Sequence, residues 1–155
     1  MSRIVISALL VGALAAVAHA ELSANVIAQF RGQLVISKDE LPEGKNDKDT
    51  VSKIKAAALK ELVGEKAADV TQWHFHYTAF LSKTGASALK MEFLTDDKDH
   101  RLAADKQLEG VDPKSGVLSG DITIDEDEGL AKGKTYVIEL ASGGTVVAKA
   151  TVAFK

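Results

Sequence analysis

At 155 residues and a net charge of −3, with 19 basic and 22 acidic side chains interspersed, the chain lacks the concentrated basic face that neutralises phosphates, which argues against nucleic acid as a partner. It contains no cysteine, so a disulfide scaffold, thiol chemistry and thiolate metal sites are excluded, and stability has to come from packing and backbone hydrogen bonds.

The first 20 residues, MSRIVISALLVGALAAVAHA, have the three parts of an export signal: a positive start at Arg3, an uncharged apolar run from Ile4 to Val17, and the small-x-small end Ala18-His19-Ala20. The apolar run falls short of the roughly 20 residues that span a bilayer, and polar Glu21, Ser23 and Asn25 follow at once. Residues 1–20 are therefore expected to be removed, making Glu21 the mature N-terminus of a periplasmic or secreted protein. The cut site has no cysteine for a lipid anchor. Removing 20 of 155 residues leaves 135, one domain's worth, over residues 21–155. The charge becomes −4, the −3 less the +1 of Arg3, and no membrane span remains in the mature chain.

Strict alternation of apolar and polar residues places every second side chain on one face of a strand. Val26, Ala28, Phe30, Leu34 and Ile36 share one parity, predicting a first strand with Gly32 as a bulge or close approach. Lys38 to Lys48 is polar, with Pro42 and Gly44, and reads as a mobile, partly disordered surface loop. From Thr50 to Val63 the period changes: Val51, Ile54, Ala58 and Leu62 recur at three- and four-residue steps, predicting an amphipathic helix over 50–63 that is capped by Asp49 or Thr50 and ended by Gly64.

Alternation returns with Trp73, Phe75, Tyr77, Ala79 and Leu81, then with Leu89, Met91 and Phe93. Lys83-Thr84-Gly85 between them predicts a hairpin over Gln72 to Thr95. Arg101 to Leu108 alternates weakly and reads as an edge strand or an extended loop, and Leu118, Ile122 and Ile124 line a further strand. Tyr136, Ile138 and Leu140 pair, through Ser142-Gly143-Gly144, with Val146, Ala148, Ala150, Val152 and Phe154 in a second hairpin, Lys134 to Phe154. Six clear strands, one weak one and a single inserted helix predict a mainly β fold, a two-sheet antiparallel sandwich, with a small closed β-barrel as the alternative. An outer-membrane barrel is set aside on the odd strand count, the frequent Lys and Glu, and the absence of aromatic girdles.

Within this pattern, Leu130-Ala131-Lys132-Gly133-Lys134-Thr135-Tyr136-Val137-Ile138-Glu139-Leu140 resembles the penultimate-strand signature of immunoglobulin-like and fibronectin type III-like sandwiches. The resemblance runs through Phe154 and lacks the antibody-type cysteines. It implies the sandwich and a corner-tyrosine hydroxyl bonded to nearby backbone, and carries no activity with it.

Candidate chemistry is sparse. His74 and His76 project to the same strand face and could present two imidazoles to copper or zinc, with His100, Met91 or a carboxylate completing the set; the simpler reading is a solvated face. A periplasmic copper carrier would also carry a histidine near its mature N-terminus, where this chain has Glu21-Leu22-Ser23. The acidic run Asp125 to Glu128, with Asp96, Asp97 and Asp99, invites calcium, but Gly129 falls fifth and Tyr136 twelfth, which is not an EF-hand spacing. There is no Gly-x-Ser-x-Gly elbow, His-Glu-x-x-His helix or phosphate-binding glycine loop.

Trp73, Phe75 and Tyr77 read as core rather than as a ligand platform, and the helix as a cover for its own domain. The expectation is an exported, non-enzymatic binding, assembly or accessory module of a bacterial envelope or its exterior, its partner a protein or envelope component. The alternatives are a periplasmic copper- or zinc-binding protein using His74 and His76, and a small secreted hydrolase.

Overall fold

The computed structural model describes residues 22–82 and 88–155. The expected export signal, its cleavage point at Glu21 and the turn Lys83-Thr84-Gly85 lie outside these residues. The described chain is mainly β, two sheets packed face to face with two α-helices on one of them. Among the described residues the strands do not close into a barrel.

In the first sheet, β4 (Val70–Phe80) is central. β1 (Leu34–Ser37) pairs antiparallel with its His76 to Ala79 and β3 (Glu65–Ala67) with its Val70 to Gln72, and β7 (Val117–Asp125) runs antiparallel along Gln72 to Phe80. The second sheet has the order β2-β9-β8-β5-β6, formed by β2 (Glu61–Leu62), β9 (Thr145–Phe154), β8 (Lys134–Ser142), β5 (Leu89–Thr95) and β6 (Leu102–Leu108). All its pairings are antiparallel except β2 with β9, and β6 lies at the edge as its weak alternation predicts.

The period-two reading of β4 and β8 holds. Trp73, Phe75, Tyr77 and Ala79 enter the core from one sheet, and Tyr136, Ile138 and Leu140 from the other. Aromatic edges meet at Phe154, whose ring centroid lies 5.3 Å from that of Trp73, 5.4 Å from Tyr136 and 6.2 Å from Phe93. The corner tyrosine is as the sandwich resemblance implies: Ala131 N–H donates to Tyr136 Oη at 2.9 Å. The hairpin from Lys134 to Phe154 also forms as expected.

The structure corrects four readings. Residues 26–30 are not strand but part of α1 (Ala24–Phe30), because Ser23 Oγ accepts the N–H of Val26 as an N-cap and Val26 and Phe30 are buried one helical turn apart. The second helix, α2, spans Asp47–Ala57 instead of 50–63, with Asn46 Oδ1 accepting Asp49 N–H at its start. It stops at Ala58 because Leu62 is drawn into the sandwich core, with Lys155 N–H donating to Leu62 O at 2.8 Å. Gly64 is therefore no helix cap; a Cβ there would lie 2.3 Å from Thr71 Cγ2 and 2.8 Å from Trp73 Nε1.

Third, β4 and β5 do not form a hairpin. Both sides of each are taken by other strands, so the chain crosses from one sheet to the other between them. Fourth, a register shift at Leu140/Ala141 changes the inward parity of β9: Val147 and Ala148 are both buried, whereas Val146 is 41% exposed.

Candidate functional site

On β4 the odd residues face the sandwich core, so the even ones, His74, His76, Thr78 and Phe80, face outward, where α1, α2 and the loop after β1 are laid over part of the sheet. Phe80 joins Val26, Phe30, Val35, Val51 and Ile54 in a second apolar cluster under the helices. Its ring packs on Phe30 at 5.1 Å. Toward the other end of β4 this cover ends, and His74 is exposed while His76 and Thr78 stay buried.

The loop that closes over this boundary is pinned at both ends. Ser37 Oγ donates to Asp39 O at 2.7 Å, Gly44 N–H to Thr50 Oγ1 at 2.9 Å, and Lys45 N–H to Asp49 Oδ2 at 2.8 Å. These bonds, with Lys53 Nζ donating to Glu43 O at 3.1 Å, replace the partly disordered loop expected from composition. The amide of Lys45, and secondarily Lys53, holds the Asp49 carboxyl below its usual range. A carboxyl held low in the pinned state supports that state above its free value, and the support is lost as pH falls through the lowered one. Hydrogen exchange at the Lys45 amide, corrected for intrinsic rate, is therefore expected to lose protection on acidification, and to be less protected already at neutral pH in Asp49→Asn, whose amide oxygen accepts more weakly than a carboxylate.

Two clefts flank this loop and meet at His76 and Glu40, the residues that line both. The larger, 760 Å³, has an apolar floor of Leu22, Ile27, Leu41, Val117 and Leu118. Its charged lining residues, Glu40, Glu43 and Asp112, are all acidic. The second, 720 Å³, continues along β4 past His74, Glu65 and Asp121.

His76 is the chemically unresolved group. Its side chain is 4% exposed and its Nδ1 lies 3.0 Å from Oδ1 of Asp121 on β7, which is 64% exposed. A carboxylate only accepts, so Nδ1 carries the hydrogen, and in the uncharged form of the ring Nε2 offers an acceptor lone pair. Nε2 is buried and has no hydrogen-bond partner, the one such side-chain atom among the described residues. A buried polar atom left unpaired costs about 1–3 kcal/mol, so its retention calls for a reason. Nearby, burial and then the charge of Asp121 push the Tyr77 hydroxyl up from its ordinary range.

The other sequence candidates are placed elsewhere. His74 and His76 do share a face, but His74 Nδ1 is engaged with Thr123 Oγ1 at 2.8 Å. Met91 is fully buried in the sandwich core, and His100 lines a depression on the outer face of the second sheet. Among the described residues no group of three or more His, Asp or Glu is gathered to hold a metal ion. The acidic runs serve as local caps. Asp125 and Glu128 form a reciprocal capping box around the turn Glu126–Glu128, and Glu126 accepts Thr71 N–H at 2.7 Å, which holds its carboxyl low. Asp97 accepts from the N–H groups of Asp99 and His100 and from Thr95 Oγ1, the Asp99 amide lowering its carboxyl most.

Comparison with known proteins finds no matching family model and no matching curated protein. Among solved structures, an immunoglobulin-like protein from Pseudomonas aeruginosa aligns at 11% identity and a TM-score of 0.40, over 79% of this chain and 90% of its own. A β-glucuronidase of Bifidobacterium dentium aligns at 14% identity and a TM-score of 0.37, over 79% of this chain and 17% of its own. Among the described residues, no helix is long and apolar enough to cross a membrane.

Proposed function

We propose that this chain is an exported, non-enzymatic β-sandwich module of a bacterial envelope or its exterior, and that it binds a partner protein or envelope component along the two clefts that meet at His76. The observation that carries this is the buried, unpartnered Nε2 of His76 at the junction of an apolar-floored furrow. Export rests on the first 20 residues, and the non-enzymatic reading on a sequence that offers no nucleophile elbow, metalloprotease helix or phosphate loop.

Gly116 supplies the test. It lines the larger cleft, and a Cβ there would meet nothing within 4 Å, so the position accepts a side chain and Gly116→Trp is expected to occlude the larger cleft. Capture from envelope extract is expected to recover a partner with the wild-type chain and at least tenfold less of it with Gly116→Trp, at unchanged thermal stability. Equal recovery, or recovery of a reaction product in place of a partner, overturns the reading. Calorimetric titration with zinc(II) or copper(II) separates it from the metal-binding alternative, which requires binding tighter than micromolar that His74→Ala/His76→Ala abolishes.

A further inference from the structure

Resting on that reading, we infer the chemistry of what the furrow takes: an extended polypeptide segment that places a lysine or arginine side chain, flanked by apolar residues, over His76. Three features of the site converge on it.

The first is the direction of the missing hydrogen bond. Asp121 accepts the hydrogen of Nδ1, so when the ring is uncharged its free position is an acceptor, and the complement of that position is a donor. An ammonium or guanidinium group supplies several N–H donors and no acceptor. The second is charge. Glu40, Glu43 and Asp112 in the larger cleft, with Asp39, Glu65 and Asp121 in the second, line both approaches to His76 with carboxylates, and Lys38 is the basic residue among them. An anionic partner would meet repulsion at six positions, whereas a cation gains at each.

The third is shape. Two clefts, of 760 and 720 Å³, lie on either side of His76 and Glu40, with the loop between them. A small amine would stop at the centre, whereas a chain enters and leaves. Five extended residues reach about 17 Å, with alternate side chains facing the same way, so an apolar neighbour at the second position on one side falls toward Leu41 and Leu118 in the larger cleft and its counterpart on the other side toward Val63 in the second. Nε2 itself is enclosed, so the segment reaches it by lifting Glu40 to Pro42, the part of the loop between its pins at Ser37–Asp39 and Glu43–Lys45.

The probe is an N-acetylated, C-amidated Leu-Val-Lys-Val-Leu peptide, titrated into the purified protein and followed through backbone amide and imidazole resonances. Saturable shifts are expected at the His76 ring and at the Glu40 and Gly116 amides. Glu40→Gln/Glu43→Gln, two exposed positions whose change leaves the cores intact, should weaken binding at least fivefold. Replacing the peptide's lysine with glutamate should weaken it at least tenfold, as should His76→Leu, with folding checked by the retained methyl spectrum of the Trp73 core. Equal or tighter binding of the glutamate peptide overturns the inference, as do shifts that bypass His76. Butylamine binding as tightly as the peptide shows the occupant to be a free amine and overturns the polypeptide assignment. If the lysine peptide fails while Gly116→Trp still abolishes partner capture, the cationic chemistry falls and the binding reading stands; if capture is indifferent to Gly116→Trp, the binding reading itself has failed.

Discussion

Phe154→Ala is expected to destabilise the domain by about 3–5 kcal/mol, the range for truncating a fully buried phenylalanine. The ring is the common neighbour of Trp73, Tyr136 and Phe93, one aromatic from the first sheet and two from the second, so its removal leaves a cavity where the sheets meet. Little can collapse into it, because β9 is held in place by pairing with β8 on one side and with β2 on the other. Against a total stability of about 5–15 kcal/mol for a domain of this kind, the urea midpoint should fall by about 2 M with the slope unchanged. A companion pair on the same strand tests the register shift. Val147→Ala should cost about 1.5–2.5 kcal/mol and the adjacent, exposed Val146→Ala less than about 0.5. Equal losses at the two valines would place the shift elsewhere.

The same register shift shows what alternation can report. Along Trp73 to Ala79 and Tyr136 to Leu140 one face of each strand meets the core and the other meets water or a thin cover, so parity reads directly as geometry. The rule fails where that condition fails. All four residues of β1 are buried, because Leu34 and Ile36 face the sandwich while Val35 lies beneath the helices and Ser37 bonds the following loop at Asp39 O. Val26 and Phe30 satisfy a spacing of two as well as a spacing of four; the signal that separates the readings is Ser23, three residues ahead of Val26, together with an exposed Ala28 that a strand would have buried. In the same way Leu62 continues the stripe of α2 in sequence yet is claimed by pairing with the far end of the chain, a contact that no local window contains.

The candidate site was half visible for a related reason. That His74 and His76 share a face follows from strand geometry alone, and the structure keeps them there. That one is exposed and the other buried with an unpaired nitrogen depends on where the loop from Lys38 to Lys45 crosses the sheet, and on Asp121 arriving from β7, 45 residues along the chain. The polar face of β4 looked solvated because its cover is built from distant segments. Conversely, the acidic run from Asp125 drew notice as a cation site, when its spacing already contained the reciprocal cap formed by Asp125 and Glu128.

That cap leads to the second large effect. Gly129→Ala is expected to cost roughly 2–4 kcal/mol, the sum of a left-handed backbone forced on a residue with a side chain and a collision with neighbouring main chain. Gly129 closes the turn Glu126–Glu128 at φ 115°, and a Cβ added there would lie 2.1 Å from the carbonyl oxygen of Ala103 on β6. A flexible side chain could move aside; the Ala103 carbonyl, main chain at the bulge between the Phe93–Ala104 and Leu94–Leu102 pairs, moves only with the backbone of β6. Lys106 on β6 pairs with Glu128 of the same turn, so the turn is the clasp that ties the end of β7 in one sheet to the edge strand of the other. The loss should therefore be uneven across the fold. Amide exchange is expected to quicken along β6 and at the Thr71 amide, which is bonded to Glu126, while the hairpin of β8 and β9 keeps its protection apart from the global change. Gly133→Ala is the control: it too sits at positive φ, 81°, but a Cβ there meets nothing within 4 Å, so only the backbone part of the penalty, about 1–2 kcal/mol, should appear. A Gly129→Ala variant no less stable than Gly133→Ala would show that β6 gives way freely, and the clasp would then contribute nothing to holding the two sheets together.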